Sequence, residues 1–297
     1  MISPPAKRPL LATAVSRRQL LSASAAAAGG FVAGTILPSP MWPALADPCD
    51  ANNCDLHKFG TTNINYMTSV KHQGPCNACT AFAVVATIEG TYNRKKFGAS
   101  GDNGLNLSEG QLFYAAGPKD KCYLSHWWPR DALPYCTQVG LAREDEEQFA
   151  FWDNSTPKPT ISHIKITGSM NLIDSTNLNK TKQNMKNWIF QTGPIIAVMV
   201  QYEDFQAFGD MWGRDHPGAE NTNVYFPGVG GSPGGVVGGH VVSIVGYSDA
   251  GSPKYWICKN SWGKKWNGDG YVRIAQGSGA SGECYIESLE VLGVSLP

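Results

Sequence analysis

Apolar residues recur at helical spacing through Phe82, Val85, Ala86 and Ile88, which predicts a helix over residues 79–92 that Gly90 interrupts only late. Leu107-Ser108-Glu109-Gly110-Gln111-Leu112 opens a second helix, with Ser108 as N-cap and Gln111 three residues on. Residues 133–139 predict a short third helix, with Pro134 tolerated in its first turn and Gly140 as its stop. Beyond Thr156-Pro157-Lys158-Pro159 the period changes. Residues 161–166, 195–200, 241–245, 255–258 and 270–274 are short β-branched or aromatic runs bounded by Gly, Asp or Ser, which read as strands. A helix over 179–191, ended by Gly193-Pro194, lies among them. Residues 47–72 are polar and turn-rich, with one extended segment near 63–70, and the glycine-dense 228–239 reads as a mobile loop leading to His240. Helices first and strands afterwards argue for an α+β fold of two subdomains. No internal repeat is present.

The first 46 residues carry a different signal. Ser16-Arg17-Arg18-Gln19-Leu20-Leu21 is a twin-arginine pattern, and an uncharged stretch rich in Ala and Leu follows, ending in Ala44-Leu45-Ala46 before Asp47. Small residues one and three positions before Asp47 suit a signal peptidase. An uncleaved anchor is the alternative, because the stretch is nearly long enough to span a bilayer. Its glycines at 29, 30 and 34 and prolines at 38, 40 and 43 favour cleavage, and Asp47-Pro48 before Cys49 does not look like a lipoprotein site. The expectation is export through the twin-arginine pathway to a periplasmic or secreted, oxidising location.

Of the 297 residues, 42% are hydrophobic and 16% charged, which fits a globular chain with a substantial core. Loss of Lys7, Arg8, Arg17 and Arg18 with the signal takes the formal net charge from zero to −4. No basic run remains, so a nucleic-acid partner has no electrostatic footprint. No second apolar run is long enough to span a bilayer, and stable membrane association after signal cleavage is not expected.

Eight cysteines, at 49, 54, 76, 79, 122, 136, 258 and 284, read as disulfides plus exceptions. Cys49 with Cys54 would close a small loop, and Cys136, in a helix, suits burial better than bonding. Cys76-Asn77-Ala78-Cys79 taken alone could be a redox pair, half a zinc site, or a turn leading into a structural cysteine. A zinc site needs a second ligand pair of similar spacing, for which Cys49 and Cys54 are a poor match. A thioredoxin-like pair belongs near a βαβ pattern, which this chain lacks. No metal or organic cofactor is implied. A fourth reading takes Cys79 with Gln73, His240 and Asn260. A side-chain amide, a thiol at a helix start, a histidine and a carboxamide are together what nucleophilic thiol catalysis needs.

The stretches Val70–Gly90, Gly239–Tyr247 and Tyr255–Tyr271 resemble the papain family of cysteine peptidases in order and flanking residues, and the resemblance covers roughly 73–293. Leu107–Leu112, and Gly193–Val200 followed by Asp204–Phe208, are similar to the family as well. The resemblance implies a two-lobed fold with the active-site cleft between a helical lobe, about 71–160, and a β-barrel-like lobe, about 47–70 and 161–297. It implies a cysteine-type peptidase, an endopeptidase acting as a monomer on protein or peptide substrates. Cys79 would be the nucleophile and His240 its base, with Asn260 orienting the imidazole. Trp262 would cover that hydrogen bond, and Gln73 with the Cys79 N–H would form the oxyanion hole. It also supports a Cys76–Cys122 disulfide. Cys284 matches a family disulfide position whose usual partner is missing, for which Cys258 could substitute.

The chain also departs from the family. Thr80 stands where a tryptophan usually follows the nucleophile, Asn77-Ala78 replaces Gly-Ser, and Cys122–Trp128 replaces the segment whose Gly-Gly lines the unprimed cleft. An insertion that includes 228–239 would form a flap over the primed side. About thirty residues lie between Ala46 and Cys79, where the family usually carries a long inhibitory propeptide. Two alternatives therefore stay open, a catalytically impaired binding protein of papain fold and a cell-wall thiol amidase or transpeptidase. Digestion of a plain protein rather than peptidoglycan separates the last from a peptidase.

Overall fold

The computed structural model describes residues 49–50, 52–58, 64–96, 104–117, 127–144, 163–277 and 284–297. Residues 1–46, Cys122 and the first two residues of the strand expected at 161–166 lie outside them. The elements run β1 (Asn53–Asp55), α1 (Cys79–Lys95), α2 (Glu109–Ala116), α3 (Pro129–Gln138), β2 (Gly168–Asn171), α4 (Leu178–Gln191), β3 (Ile195–Tyr202), α5 (Glu203–Asp215), β4 (Val224–Tyr225), β5 (Val236–Ser248), β6 (Tyr255–Lys259), β7 (Tyr271–Ala275) and β8 (Glu290–Ser295). The strands form a sheet of order β2-β8-β3-β5-β6-β7-β4, with β1 paired to β5. Among the described residues its ends, β2 and β4, do not pair with each other. The strand-rich part is thus an open sheet rather than a closed barrel.

This sheet separates two cores. Ile195, Ala197 and Met199 of β3 enter one, with Val242, Ile244, Trp256 and Val291. Ile196, Val198 and Val200 enter the other, with Phe82, Val85 and Ile88 of α1, Leu112 of α2 and Leu133 of α3. A strand buried on both faces needs a continuous apolar run, which is why 195–200 does not alternate. The long α1 lies on this second core and is buried almost all round from Thr80 to Thr91. It continues past residue 92, with Arg94 and Lys95 in a last turn that favours positive charge. Arg94 also donates to the carbonyls of Ile189 and Phe190.

Several elements differ from the sequence reading. Ser108 caps α2, accepting from Gln111 N at 3.1 Å, but the Gln111 side chain turns instead to Tyr135 and to the Ala142 N–H. Only half of a capping box forms. The helix expected at 133–139 starts at Pro129, which leaves Pro134 in the interior. Pro134 forfeits one helical hydrogen bond, and the burial of Ala132, Leu133 and Cys136 offsets it. Of 163–166, only a bridge between Ile164 and Leu141 forms, and the strand follows at Gly168–Asn171. Val236–Gly239 belongs to β5, where Gly238 and Gly239 pair with Gln201 and Val200, rather than to a loop.

Cys49 and Cys54 are disulfide-bonded, and so is Cys76, whose expected partner Cys122 lies outside the described residues. Cys258 and Cys284 are buried thiols, so the bond between them considered above is not made. Cys258 faces the core near the end of β6, paired with Ile244 and Val272. Cys136 is a buried thiol too.

Candidate active site

Cys79 is the first residue of α1. Its N-cap, Ala78, offers no side-chain cap, and no acidic residue occupies the first turn. The N–H groups and positive end of the helix are therefore left to the sulfur. Sγ accepts from the Cys79 and Thr80 N–H groups and, across the cleft, from the N–H of Val241 on β5. The thiol thus lies against the backbone one residue beyond His240. Burial pushes the Cys79 thiol above its usual range, and these bonds work in the opposite direction.

His240 is buried on β5, paired with Met199 of β3. Its Nε2 lies 2.8 Å from Asn260 Oδ1, which also accepts the Ser261 N–H at 2.8 Å. The second bond identifies that amide atom as the oxygen. Nε2 must then carry a hydrogen, and Nδ1 is the basic nitrogen. Burial depresses the imidazole to about 4, opposed in part by the Asn260 bond. Trp262 lies over the pair, its ring centroid 4.9 Å from that of His240, and Phe205 at the head of α5 packs edge-on to Trp262.

The helix α5 was not foreseen. Its Gly209 and Gly213 weaken it by propensity. They are needed because a Cβ at Gly213 would lie 2.0 Å from the Lys265 carbonyl, and one at Gly209 2.0 Å from the Trp266 ring. That close approach seats Trp266 edge-on to Trp262.

Gln73 is buried and held at both ends of its amide. Nε2 donates to the Cys76 carbonyl at 2.7 Å, and Oε1 accepts from Ser261 Oγ at 2.5 Å. Nε2 keeps a second hydrogen for another acceptor. Ser261 therefore joins Gln73 to Asn260, a role the sequence reading missed, although its place between Asn260 and Trp262 was the available signal. The structure brings Gln73, Cys79, His240, Asn260 and Trp262 together where α1 meets β5 and the end of β6.

Beside them lies a partly buried ionic cluster. Lys71 Nζ is 2.7 Å from Glu109 and 2.8 Å from Glu144, and Glu89 reaches Lys259 through Thr68. A cavity of about 10 Å³, lined by Lys71, Glu109, Lys259, Asn260 and Ser261 among others, separates this cluster from the site. Burial and the neighbouring Glu89 and Glu144 outweigh Lys71 and raise Glu109 to about 7, while Glu109, Glu89 and Glu144 together hold Lys71 above the usual lysine range against its burial.

A raised carboxyl pKa means that the folded protein holds a proton the unfolded chain has lost. Glu109 should therefore contribute less to stability as pH rises from about 4.5 to about 7. Relative to the parent, Glu109→Gln should gain stability across that window and level off above it. Urea midpoints at pH 5 and pH 8 check this, and an unchanged difference would contradict it.

A half-buried thiol at the head of a helix, facing a strand whose histidine is oriented by an amide, defines a cysteine-type hydrolase. Residues 52–294 match Peptidase_C1, the papain family cysteine proteases, and the chain belongs to that family. It is 28% identical over 247 residues to a cathepsin L-like proteinase of Fasciola hepatica, covering 82% of this chain and 68% of the relative. It is 27% identical over 236 residues to peptidase 1 of Dermatophagoides pteronyssinus, covering 78% of this chain and 65% of the relative. Among solved structures it resembles bromelain from Ananas comosus in complex with the E64 inhibitor. That match has a TM-score of 0.59 at 27% identity over 84% of this chain and all of that one.

Proposed function

We propose that this chain hydrolyses peptide bonds in protein or peptide substrates through an acyl-enzyme on Cys79. The observation that carries the reading is the convergence of Cys79 on the Val241 N–H with the 2.8 Å bond between His240 and Asn260. Burial opposes a charge on Cys79 or on His240 alone. Passing the proton from Sγ to Nδ1 creates both charges at once and side by side, where their attraction offsets that cost. The thiolate attacks the carbonyl carbon, and the oxyanion accepts from the Cys79 N–H and the second Gln73 Nε2 hydrogen. His240 gives its proton to the departing amine as the C–N bond breaks. Water, deprotonated by His240, then releases the acid and restores the thiol.

We further infer that the mature chain acts outside the cytoplasm of a bacterial-type cell, as a monomer, after twin-arginine export and cleavage behind Ala46. Arg17-Arg18 with the Ala44-Leu45-Ala46 ending supports this, and so do disulfides at Cys49–Cys54 and at Cys76, bonds suited to an oxidising compartment.

A peptidyl epoxide, which alkylates only activated thiols, tests the catalytic reading. Oxidised protein should be labelled on Cys79 alone and lose casein cleavage as labelling proceeds, with Cys79→Ala inert to both. A folded protein that neither labels nor cleaves would instead be a binding protein built on a peptidase fold.

A further inference from the structure

Thr80, second in α1, is buried at 2% exposure and stands directly beside the thiol. Its hydroxyl donates to the Trp127 carbonyl at 2.5 Å, and the same hydroxyl is within hydrogen-bond reach of Cys79 Sγ. One hydroxyl hydrogen cannot serve both acceptors fully. A neutral thiol is a weak acceptor, so the carbonyl holds the hydrogen while Cys79 is protonated. A thiolate is different, because hydrogen bonds to an ionised partner are roughly twice as strong as neutral ones.

We propose that Thr80 is a catalytic residue whose hydroxyl turns from the Trp127 carbonyl to Cys79 Sγ as the thiol gives its proton to His240. The inference rests on the peptidase reading of this site. Thr80 keeps its own proton throughout and only the direction of its O–H bond changes. The single proton transferred runs from Sγ to Nδ1 of His240.

The surroundings explain why such a donor matters. The other donors to the sulfur are the backbone N–H groups of Cys79, Thr80 and Val241. The titratable groups on the elements packed here are His240 on β5 and, lining the small cavity that Val241 also lines, Lys71 ahead of α1, Glu109 on α2 and Lys259 on β6. Of these four, His240 becomes a donor to Sγ once its Nδ1 has taken the thiol proton. The Thr80 hydroxyl is thus a side-chain donor beside the sulfur that keeps its own proton, next to the imidazolium that the transfer creates. Trp127 holds the other acceptor in place, packed edge-on to Phe113 of α2 at 6.3 Å.

The experiment is the pH dependence of iodoacetamide alkylation at Cys79 in the disulfide-intact protein, with Cys79→Ala as the blank. Thr80→Val keeps the shape and removes the hydroxyl, whereas Thr80→Ser keeps the hydroxyl. Thr80→Val should raise the apparent thiolate pKa by about one unit, making alkylation roughly tenfold slower below the inflection. The pH profile of kcat/KM should move with it, and Thr80→Ser should titrate with the parent. The proposal is overturned if Thr80→Val titrates with the parent, or if Thr80→Ser is as impaired as Thr80→Val, which would mark a packing role. Failure of the peptidase reading looks different. The parent Cys79 would then be unreactive at every pH and casein uncut, and both ideas would fall together.

Discussion

Replacing Cys79 with alanine is expected to lower kcat/KM for peptide hydrolysis by roughly 10⁴-fold or more while leaving the fold unchanged. Removing the nucleophile of such a unit costs about as much as removing the unit, because every covalent step passes through that atom. His240→Ala should approach the same loss, since without Nδ1 neither the thiol proton nor the leaving amine is served. The side chain of Cys79 is not a major element of the packing, so near-ultraviolet circular dichroism and thermal midpoint should match the parent. Residual cleavage above about one hundredth of the parent rate in either folded variant would show that another group performs the attack.

The second large effect belongs to Gln73. Loss of one oxyanion donor costs roughly 10²–10³-fold in kcat with little change in KM, because the bond is made in the transition state and not to the bound substrate. Alanine at this site also leaves Ser261 Oγ and the Cys76 carbonyl without their Gln73 partners. Gln73→Glu is the companion variant, since it keeps the acceptor facing Ser261 while removing the donor to the oxyanion and to the Cys76 carbonyl. Both variants should lose kcat, with glutamate the poorer because it sets a negative charge where the oxyanion forms. If KM rose in place of the fall in kcat, Gln73 would be acting in ground-state binding.

Most of this site was legible in the sequence because each part sits beside a local signal. Cys79 begins a run of helical periodicity, His240 precedes a buried strand, and Asn260 stands before Ser261-Trp262-Gly263. Ser261 and Thr80 were less visible because their roles arise from partners far along the chain, Gln73 for one and Trp127 for the other. The fold divides along the same line. Both faces of β3 announced themselves in an unbroken apolar run. The helix α5 did not, because Gly209 and Gly213 argue against a helix until the facing Lys265-Trp266 backbone and ring are known. The interior Pro134 moved a predicted helix start for a similar reason, as local propensity gave way to burial. Val236–Gly239 read as a loop because its glycines carry no strand signal, yet β3 supplies the pairing.

The place of β3 between the two cores also bears on how a substrate is admitted. Many cleft enzymes swing two rigid halves about a linker and tighten around what they hold. Here the strand that forms the floor of the helical side is the strand hydrogen-bonded to the one carrying His240, in register from Ile195–Ile244 to Gln201–Gly238. Swinging the halves apart would tear that pairing or strip one face of β3. The thiol and its base are therefore tied underneath as well as facing each other above, and the slot keeps its width. A polypeptide substrate is then expected to enter already extended, and cleavage should follow the readiness of the guest to unfold locally rather than closure by the host.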